Sequence, residues 1–326
     1  MEHKVCVTGA SGFLASWLIK RLLSSGYHVI GTVRDSGKQK KYEYLWSLEG
    51  ATERLQLVQA DLMEEGSFDN AIMGCKGVFH VASPVLSTIT DPKTQILEPA
   101  VKGTLNVLRS CRKNAALGRV VLTSSSSTLR VRNDFDPNIP LDESSWSSLE
   151  FCEKLQAWYA MSKIEAERAA WEFCRENGID LVTVLPSFII GPCLPPNLCS
   201  TASDVLGLLK GETKRFQVLG RMGYVHIDDV ALCQILVYED ASSHGRYLCS
   251  SVVMDEDELA SLLANRYPTL SISRFEKVDR PYYELNTEKL KSLGFKFKTV
   301  EEMFDDCIAS LVKQGHLTIP ECQHNI

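Results

Sequence analysis

Short apolar runs alternate with longer amphipathic stretches through the first half of the chain. Lys4–Thr8, His28–Val33, Leu55–Val58, Gly77–Val81, Arg119–Ser124 and Asp180–Leu185 are rich in Val, Ile and Leu. Little polar alternation interrupts them, as expected of strands buried on both faces. Between them, Gly12–Ser25, about Thr94–Asn114 and about Leu155–Asn177 carry helical spacing. This rhythm predicts an α/β fold, a doubly wound parallel sheet with helices on both faces. After Pro186 the texture changes, and Pro192, Pro195 and Pro196 exclude a continuous helix. Thr201–Leu209, Asp228–Tyr238 and Val300–Lys313 read as helices, Tyr224–Ile227 and Gly245–Ser250 as strands. Residues 1–185 are therefore expected to form the sheet domain. Residues 186–326 are expected to form mainly a smaller C-terminal lobe, with about 224–250 returning to pack on the first sheet.

Composition narrows the class. A hydrophobic content of 44% and a charged content of 23% are those of an ordinary water-soluble protein. The net charge of −6 argues against a general nucleic-acid binder. No run approaches the ~20 apolar residues of a membrane span, and no apolar leader precedes the first strand. Gln323, His324, Asn325 and Ile326 match no sorting signal, so a cytoplasmic address is expected. The eleven cysteines include no CxxC pair and sit mostly in apolar runs such as VCV and ALCQIL. They are expected to be reduced, buried small hydrophobes, with neither a disulfide framework nor a zinc site among them.

The chemistry begins where the first strand turns into the first helix, at Thr8-Gly9-Ala10-Ser11-Gly12-Phe13-Leu14-Ala15. Gly9 permits a tight turn, Gly12 lets a pyrophosphate approach backbone N–H groups, and Ala15 lets the helix lie close on the sheet. This is the Rossmann dinucleotide pattern, and it assigns Thr8, Gly9, Ala10, Ser11, Gly12 and Phe13 to the cofactor. An acid usually ends the second strand of an NAD enzyme. Here that strand ends in Arg34, whose guanidinium can fork onto a 2′-phosphate, with Lys41 as a second positive charge. NADPH/NADP+ is therefore the expected cofactor, although Asp35 is an acid next door and Lys41 also reads as solvated surface charge. Asp61 and Leu62 after the third strand, and Val81, Ala82 and Ser83 after the fourth, lie where ligands bind at the carboxyl ends of parallel strands. His80 reads as a core residue.

Tyr159 and Lys163 stand four apart on a predicted helix and share a face. A tyrosine with a pKa of ~10 is a poor acid–base group at neutral pH, and a nearby ammonium is expected to lower it. Lys163 is also positioned to bond the nicotinamide ribose. Ser125, ending the fifth strand, is the candidate to hydrogen-bond a substrate carbonyl, with Ser124, Ser126 and Ser127 competing for that role.

TGASGFLA, the order Ser125, Tyr159, Lys163, and VRD followed by Lys41 resemble the extended short-chain dehydrogenases/reductases. Within them the chain is similar to the plant dihydroflavonol reductase and cinnamoyl-CoA reductase group. LDES at 141–144, PSFIIGP at 186–192 and VHIDDVA at 225–231 carry the likeness over nearly the whole chain. The resemblance implies that Pro186, Ser187, Phe188, Ile189 and Ser200 also contact the cofactor. Longer stretches, among them ADLMEEGSFDNAIMGC, LPPNLCSTASDVLGLLKGET and EEMFDDCIASLV, are similar to members that reduce alkyl α-pyrones for pollen-wall sporopollenin. That likeness implies hydride transfer to a ketone of a hydroxyalkyl tetraketide α-pyrone, with the upstream polyketide synthase as a partner. Two departures set the chain apart from its relatives. Ala157-Trp158-Tyr159-Ala160-Met161-Ser162-Lys163 stands where cinnamoyl-CoA reductases carry NWYCYGK, and Arg130 stands where dihydroflavonol reductases place Asn or Asp. A long apolar substrate cleft is expected, walled by Pro186–Ser203 and flanked by Arg130–Asp136. The alternatives are an aromatic aldehyde, dihydroflavonol or cinnamoyl-CoA reductase, a sugar-nucleotide epimerase on the same fold, and a non-catalytic NADP-sensing protein.

Overall fold

The computed structural model of the protein describes residues 3–84, 90–275 and 281–319. Cys322 and the C-terminal residues from Gln323 to Ile326 lie outside the described residues. The apolar runs form the strands β1 (Lys4–Val7), β2 (His28–Val33), β3 (Leu55–Gln59), β4 (Gly77–His80), β5 (Arg119–Thr123) and β6 (Leu181–Pro186). All are parallel, in the order β3-β2-β1-β4-β5-β6, and a seventh strand, Gly245–Cys249, adds to the edge beside β6. The order reverses between β1 and β4, which leaves a crevice at their carboxyl ends.

The amphipathic stretches cover both faces. Helix α1 (Phe13–Ser24) buries Leu14, Trp17, Leu18 and Leu22. It stops at Gly26, whose φ of 82° is left-handed backbone that glycine adopts without strain. On the opposite face, α2 (Glu98–Arg112) and α3 (Trp158–Asn177) pack Val107, Leu108, Cys111, Ala170 and Cys174 onto Val78 and Val120. Both helices begin later than the spacing predicts. Lys93–Leu97 forms a wider turn before α2, because Pro99 in the first turn of the helix has no N–H to give to the preceding turn. Gln156 takes φ 53°, so the backbone turns into left-handed space and α3 starts afresh at Trp158.

The C-terminal half builds a second core. Strands β7 (Phe188–Ile190), β8 (Met222–His226) and β10 (Val252–Met254) form a three-stranded sheet, β9 being Gly245–Cys249 of the large sheet. Helices α4 (Ser200–Leu209), α6 (Glu256–Arg266) and α7 (Val300–Lys313) close over the small sheet, burying Leu208, Leu263, Met303 and Phe304. The segment expected to return to the main sheet divides. Met222–His226 stays with the small sheet, α5 (Ile227–Glu239) packs against α1 and onto β5 and β6 of the large sheet, and β9 joins that sheet as a strand. The ten cysteines among the described residues are free thiols, all buried except Cys199, which is half-exposed.

Candidate active site

The turn from β1 into α1 is held from three sides. Gly9 has φ 70°, and a Cβ there would lie 3.0 Å from the Cβ of Ala82, so both backbone and space require glycine. Its N–H donates to Thr32 Oγ1 at 3.1 Å, and Ala10 N–H to the Thr32 carbonyl at 2.8 Å. Gly12 caps α1 without a side-chain acceptor, and no acid occupies the first turn. The leading N–H groups at Phe13, Leu14 and Ala15 are thus left to an incoming anion, aided by the positive end of the helix. Ser11 lies in the same turn, its carbonyl taken by the Tyr44 hydroxyl at 3.0 Å.

Thr8 ties this turn to the end of β4. Its hydroxyl oxygen accepts the N–H groups of Val81 and Ala82 at 3.1 and 3.0 Å and lies 2.9 Å from His80 Nδ1. With two donors on the oxygen, the hydroxyl proton goes to Nδ1 and the ring proton sits on Nε2. Burial, with Lys163 adding to it, lowers the His80 pKa to about 3. His80 is a neutral core residue, and Val81, Ala82 and half-buried Ser83 lie opposite the glycine turn.

At the end of β2, Arg34 is exposed, and Lys41 is exposed on the 3-10 turn Gln39–Tyr42. Their side chains form no hydrogen bond or ion pair with the described residues. Lys41 Nζ lies 5.8 Å from the Tyr42 ring centre. Asp35, the complicating acid, is engaged elsewhere. Its carboxylate meets Lys38 Nζ at 3.0 Å and the Gly37 N–H at 3.1 Å, and its pKa is lowered chiefly by the Lys38 contact. Beyond β3, Asp61 Oδ1 caps its own turn by accepting the Met63 N–H at 2.8 Å. The Leu62 carbonyl accepts Asn106 Nδ2 at 2.8 Å, while the Leu62 side chain fills the space a Cβ on Gly103 would need.

The serine run sorts itself by burial. Ser124 is buried and donates to Glu167 at 2.6 Å, and buried Ser127 donates to Ser125 Oγ through both its hydroxyl (3.0 Å) and its N–H (3.2 Å). Ser126 is buried as well. Half-exposed Ser125 is the one that reaches the Tyr159 phenol. Two donors on its oxygen leave its proton free for that bond.

Tyr159 exposes 42% of its surface, yet its phenol lies deep enough that burial raises its pKa, with the Ser125 hydrogen bond opposing. The lowering expected from Lys163 is not what the fold produces, and Lys163 is not among the causes of the shift. Lys163 is itself buried, its Nζ donating to the Thr123 carbonyl at 3.2 Å and lying 5.9 Å from the Tyr159 ring centre. Burial lowers its pKa to about 8 while Glu167 pulls the other way.

Glu167 is the residue that sequence reasoning passed over. It accepts from Ser124, from Thr183 Oγ1 at 3.0 Å and from Arg246 Nε at 2.8 Å, all buried. Arg246 in turn binds the carbonyls of Glu143 and Ser145 and the hydroxyl of Thr128. One signal for Glu167 was in the chain, since Tyr159, Lys163 and Glu167 are four apart and share a helix face.

After β6, the Pro186 carbonyl accepts the Ser126 N–H at 2.9 Å, and the Ser187 N–H donates to the Cys249 carbonyl at 3.0 Å. The Ser187 hydroxyl is buried without a partner. Phe188 stacks its edge near Phe216 and Tyr224, with ring centres 5.7 and 5.9 Å away, beside half-buried Ile189. Ser200 stands apart, exposed in the first turn of α4. A groove of about 800 Å³ between α2 and α3, lined by Leu97, Val101, Trp158 and Met161, includes none of Ser125, Tyr159 and Lys163. A side-chain-free glycine cradle, open helix N–H groups and two exposed cations at the end of β2 fit a phosphorylated dinucleotide.

A family model described as the NAD dependent epimerase/dehydratase family matches residues 5–249. Tetraketide alpha-pyrone reductase 1 of Arabidopsis thaliana is 69% identical over 318 residues, covering 97% of this chain and 98% of that protein. Among solved structures, vestitone reductase from alfalfa (Medicago sativa) superposes with a TM-score of 0.84 at 37% identity, covering 96% of this chain and 99% of the other. Yeast methylglyoxal/isovaleraldehyde reductase Gre2, complexed with NADPH, gives a TM-score of 0.80 at 28% identity, with 96% and 100% covered.

Proposed function

The chain belongs to the NAD dependent epimerase/dehydratase family, and within it we propose an NADPH-dependent reductase acting on a hydroxyalkyl tetraketide α-pyrone. It transfers hydride to a ketone carbonyl and yields a secondary alcohol, in the synthesis of sporopollenin precursors for the pollen wall. The 69% identity to the Arabidopsis tetraketide alpha-pyrone reductase over nearly the full length of both proteins carries the substrate assignment. The Ser125 hydrogen bond to Tyr159, with Lys163 one helical turn further along the same helix, supports the chemistry.

NADPH, when bound, supplies the hydride. In the proposed roles Tyr159 gives its phenolic proton to the carbonyl oxygen, and Ser125, oriented by Ser127, hydrogen-bonds and polarises that oxygen. Lys163, anchored on Thr123, bonds the nicotinamide ribose, and its charge offsets the phenolate as the proton leaves. Arg34 and Lys41 hold the 2′-phosphate, Thr8 to Phe13 the pyrophosphate and Asp61 and Leu62 the adenine, while the small side chains of Val81 to Ser83 let the dinucleotide lie across the sheet edge. Pro186 to Ile189 and Ser200 complete the contacts. Residues 1–185 are proposed to hold the cofactor and residues 186–326 mainly the substrate. No helix among the described residues is long and apolar enough to cross a membrane. A cytoplasmic location and association with the upstream polyketide synthase belong to the same proposal.

The test follows cofactor oxidation with NADPH and NADH against an alkyl tetraketide α-pyrone, a dihydroflavonol, a cinnamoyl-CoA and phenylacetaldehyde. Preferential NADPH oxidation with the pyrone is the expected result. Turnover with another of the four would keep the chemistry and replace the substrate, and no oxidation with any would return the epimerase and sensor readings.

A further inference from the structure

The hydroxyl oxygen and the carbonyl of Ser125 are each held by a neighbour in the turn that follows. Ser127 gives its N–H and its hydroxyl to Ser125 Oγ, at 3.2 and 3.0 Å. Thr128 gives its N–H and its hydroxyl to the Ser125 carbonyl, at 3.0 and 2.8 Å. Thr128 is wholly buried, and its hydroxyl oxygen in turn accepts from Arg246 Nη2 at 2.7 Å. A guanidinium has donors only, so the direction of this chain is fixed. Arg246 gives to Thr128, and Thr128 gives to Ser125.

Arg246 is itself fixed in place. Its Nε and Nη2 meet Glu167 at 2.8 and 3.4 Å, and its Nη1 meets the carbonyls of Glu143 and Ser145 at 2.8 and 2.7 Å. With the Thr128 bond, every N–H of the guanidinium fork is engaged, and its carbon lies 3.9 Å from the Trp146 ring centre. Glu167 belongs to α3, one turn beyond Lys163 and two beyond Tyr159. Ser147, just past the two bound carbonyls, closes the other side. Its N–H donates to the Thr128 carbonyl at 2.7 Å and its hydroxyl to the Ser127 carbonyl at 2.8 Å. The helix bearing Tyr159 and the turn bearing Ser125 thus meet on one side chain from a third element, β9.

We propose that Thr128, held by Arg246, is a positioning residue that sets where the Ser125 hydroxyl stands against the Tyr159 phenol. The proposal rests on the role given above to Ser125, but not on which carbonyl is reduced. The turn needs such a hold because the sheet ends there. The N–H groups of Ser124 and Ser126 still donate to the Val184 and Pro186 carbonyls, at 2.8 and 2.9 Å. Beyond Ser126 the chain leaves that ladder for the helical turn Ser127–Arg130. A substrate oxygen bonded by Ser125 must also lie within reach of the Tyr159 proton, and a displacement of ~1 Å costs up to about 10²-fold in rate. The bonds of Thr128 run to Ser125, Arg246 and Ser147. Loss of its hydroxyl should therefore lower kcat and leave cofactor binding as it was.

A double-mutant cycle on the full-length protein tests this, with the alkyl tetraketide α-pyrone or whichever of the four carbonyls above consumes NADPH. Thr128→Val keeps the shape and removes the hydroxyl. It should lower kcat roughly tenfold, while NADPH binding, followed by fluorescence titration, stays at the wild-type value. Thr128→Ser restores the hydroxyl and should restore kcat. In a Ser125→Ala background the same valine substitution should change kcat by less than about twofold, because Thr128 acts through a group already absent. Thr128→Ala takes its place in the cycle if the valine variant fails to bind NADPH. A tenfold loss that persists without the Ser125 hydroxyl, a loss that appears in NADPH binding, or a serine variant as slow as the valine one would each overturn the positioning role. So would an unchanged Thr128→Val beside a slowed Ser125→Ala. An unimpaired Ser125→Ala would instead overturn the role given to Ser125, and this proposal with it.

Discussion

At the inner end of the cleft the buried charged groups have fixed partners. Ser124, Thr183 and Arg246 converge on the Glu167 carboxylate, Arg246 reaches on to Thr128, Glu143 and Ser145, and Lys163 rests on the Thr123 carbonyl. At the outer end, where β2 stops, Arg34 and Lys41 are exposed and their neighbour Asp35 is occupied by Lys38. The first arrangement fixes distances between groups that must meet a reacting carbonyl. The second leaves cations free to close on a phosphate. A buried charge without its partner is costly, whereas an exposed one changes stability little when removed. The two ends should therefore respond to substitution in different currencies, folding and turnover at the inner end and cofactor choice at the rim.

The largest effect is expected at the reacting group. Tyr159→Phe removes the proton donor while keeping the ring, and turnover should fall about 10²–10⁴-fold with the melting temperature unchanged. Near wild-type turnover would sink the role given to Tyr159. Next, Arg246→Ala strips a buried carboxylate of its ion partner and should cost about 3–5 kcal/mol in denaturant unfolding. Stability within error of wild type would show that the inner network does not hold the fold. At the rim, Arg34→Gln removes charge-assisted bonds of about 1.5–3 kcal/mol, so the preference for NADPH over NADH should drop roughly 10–100-fold. Its stability should stay within about 0.5 kcal/mol. A loss of stability with cofactor preference intact would reverse the comparison.

The same division explains what could be read from the chain. The strands of the large sheet were legible because runs such as VVLT and VTVL are apolar on both faces, and the glycine turn because its residue types are set by local backbone. Ser125 was the candidate of the serine run from its place at the end of β5, and its competitor Ser124 turns inward to Glu167. Arg246 could not be foreseen, because it reaches Glu167 from a strand 79 residues away whose place at the sheet edge is a tertiary fact. Asn106 and Gly103, which shape the turn at Leu62 from the facing helix, were hidden for the same reason. Gly31 inside an apolar strand was a local clue that went unused. A Cβ there would lie 2.8 Å from Ala10 Cβ, so it keeps the nucleotide turn close to β2. The Tyr159 pKa was misjudged because a four-residue spacing reports proximity to Lys163 but says nothing of desolvation.

Desolvation also yields the smallest and most specific expectation. Burial lowers the Lys163 pKa from 10.5 to about 8 in the folded protein. Between those values the unfolded chain holds a proton that the folded one has released, so this group makes stability rise with pH. Below about pH 8 both states are protonated and the penalty of burying the charge is felt in full. Raised thiol pKa values at Cys75, Cys111 and Cys174 push the other way, because unfolding frees thiols that ionise in the same range. The lysine is therefore visible only as a difference between wild type and Lys163→Met, a variant that keeps the volume and removes the titration. In dinucleotide-free protein, the methionine variant should gain over wild type by about 1–2 kcal/mol at pH 7.5, the gain shrinking toward pH 10. A gain that stays flat across that range would mean that Lys163 is not desolvated, and that the inner end of the cleft is wetter than its packing implies.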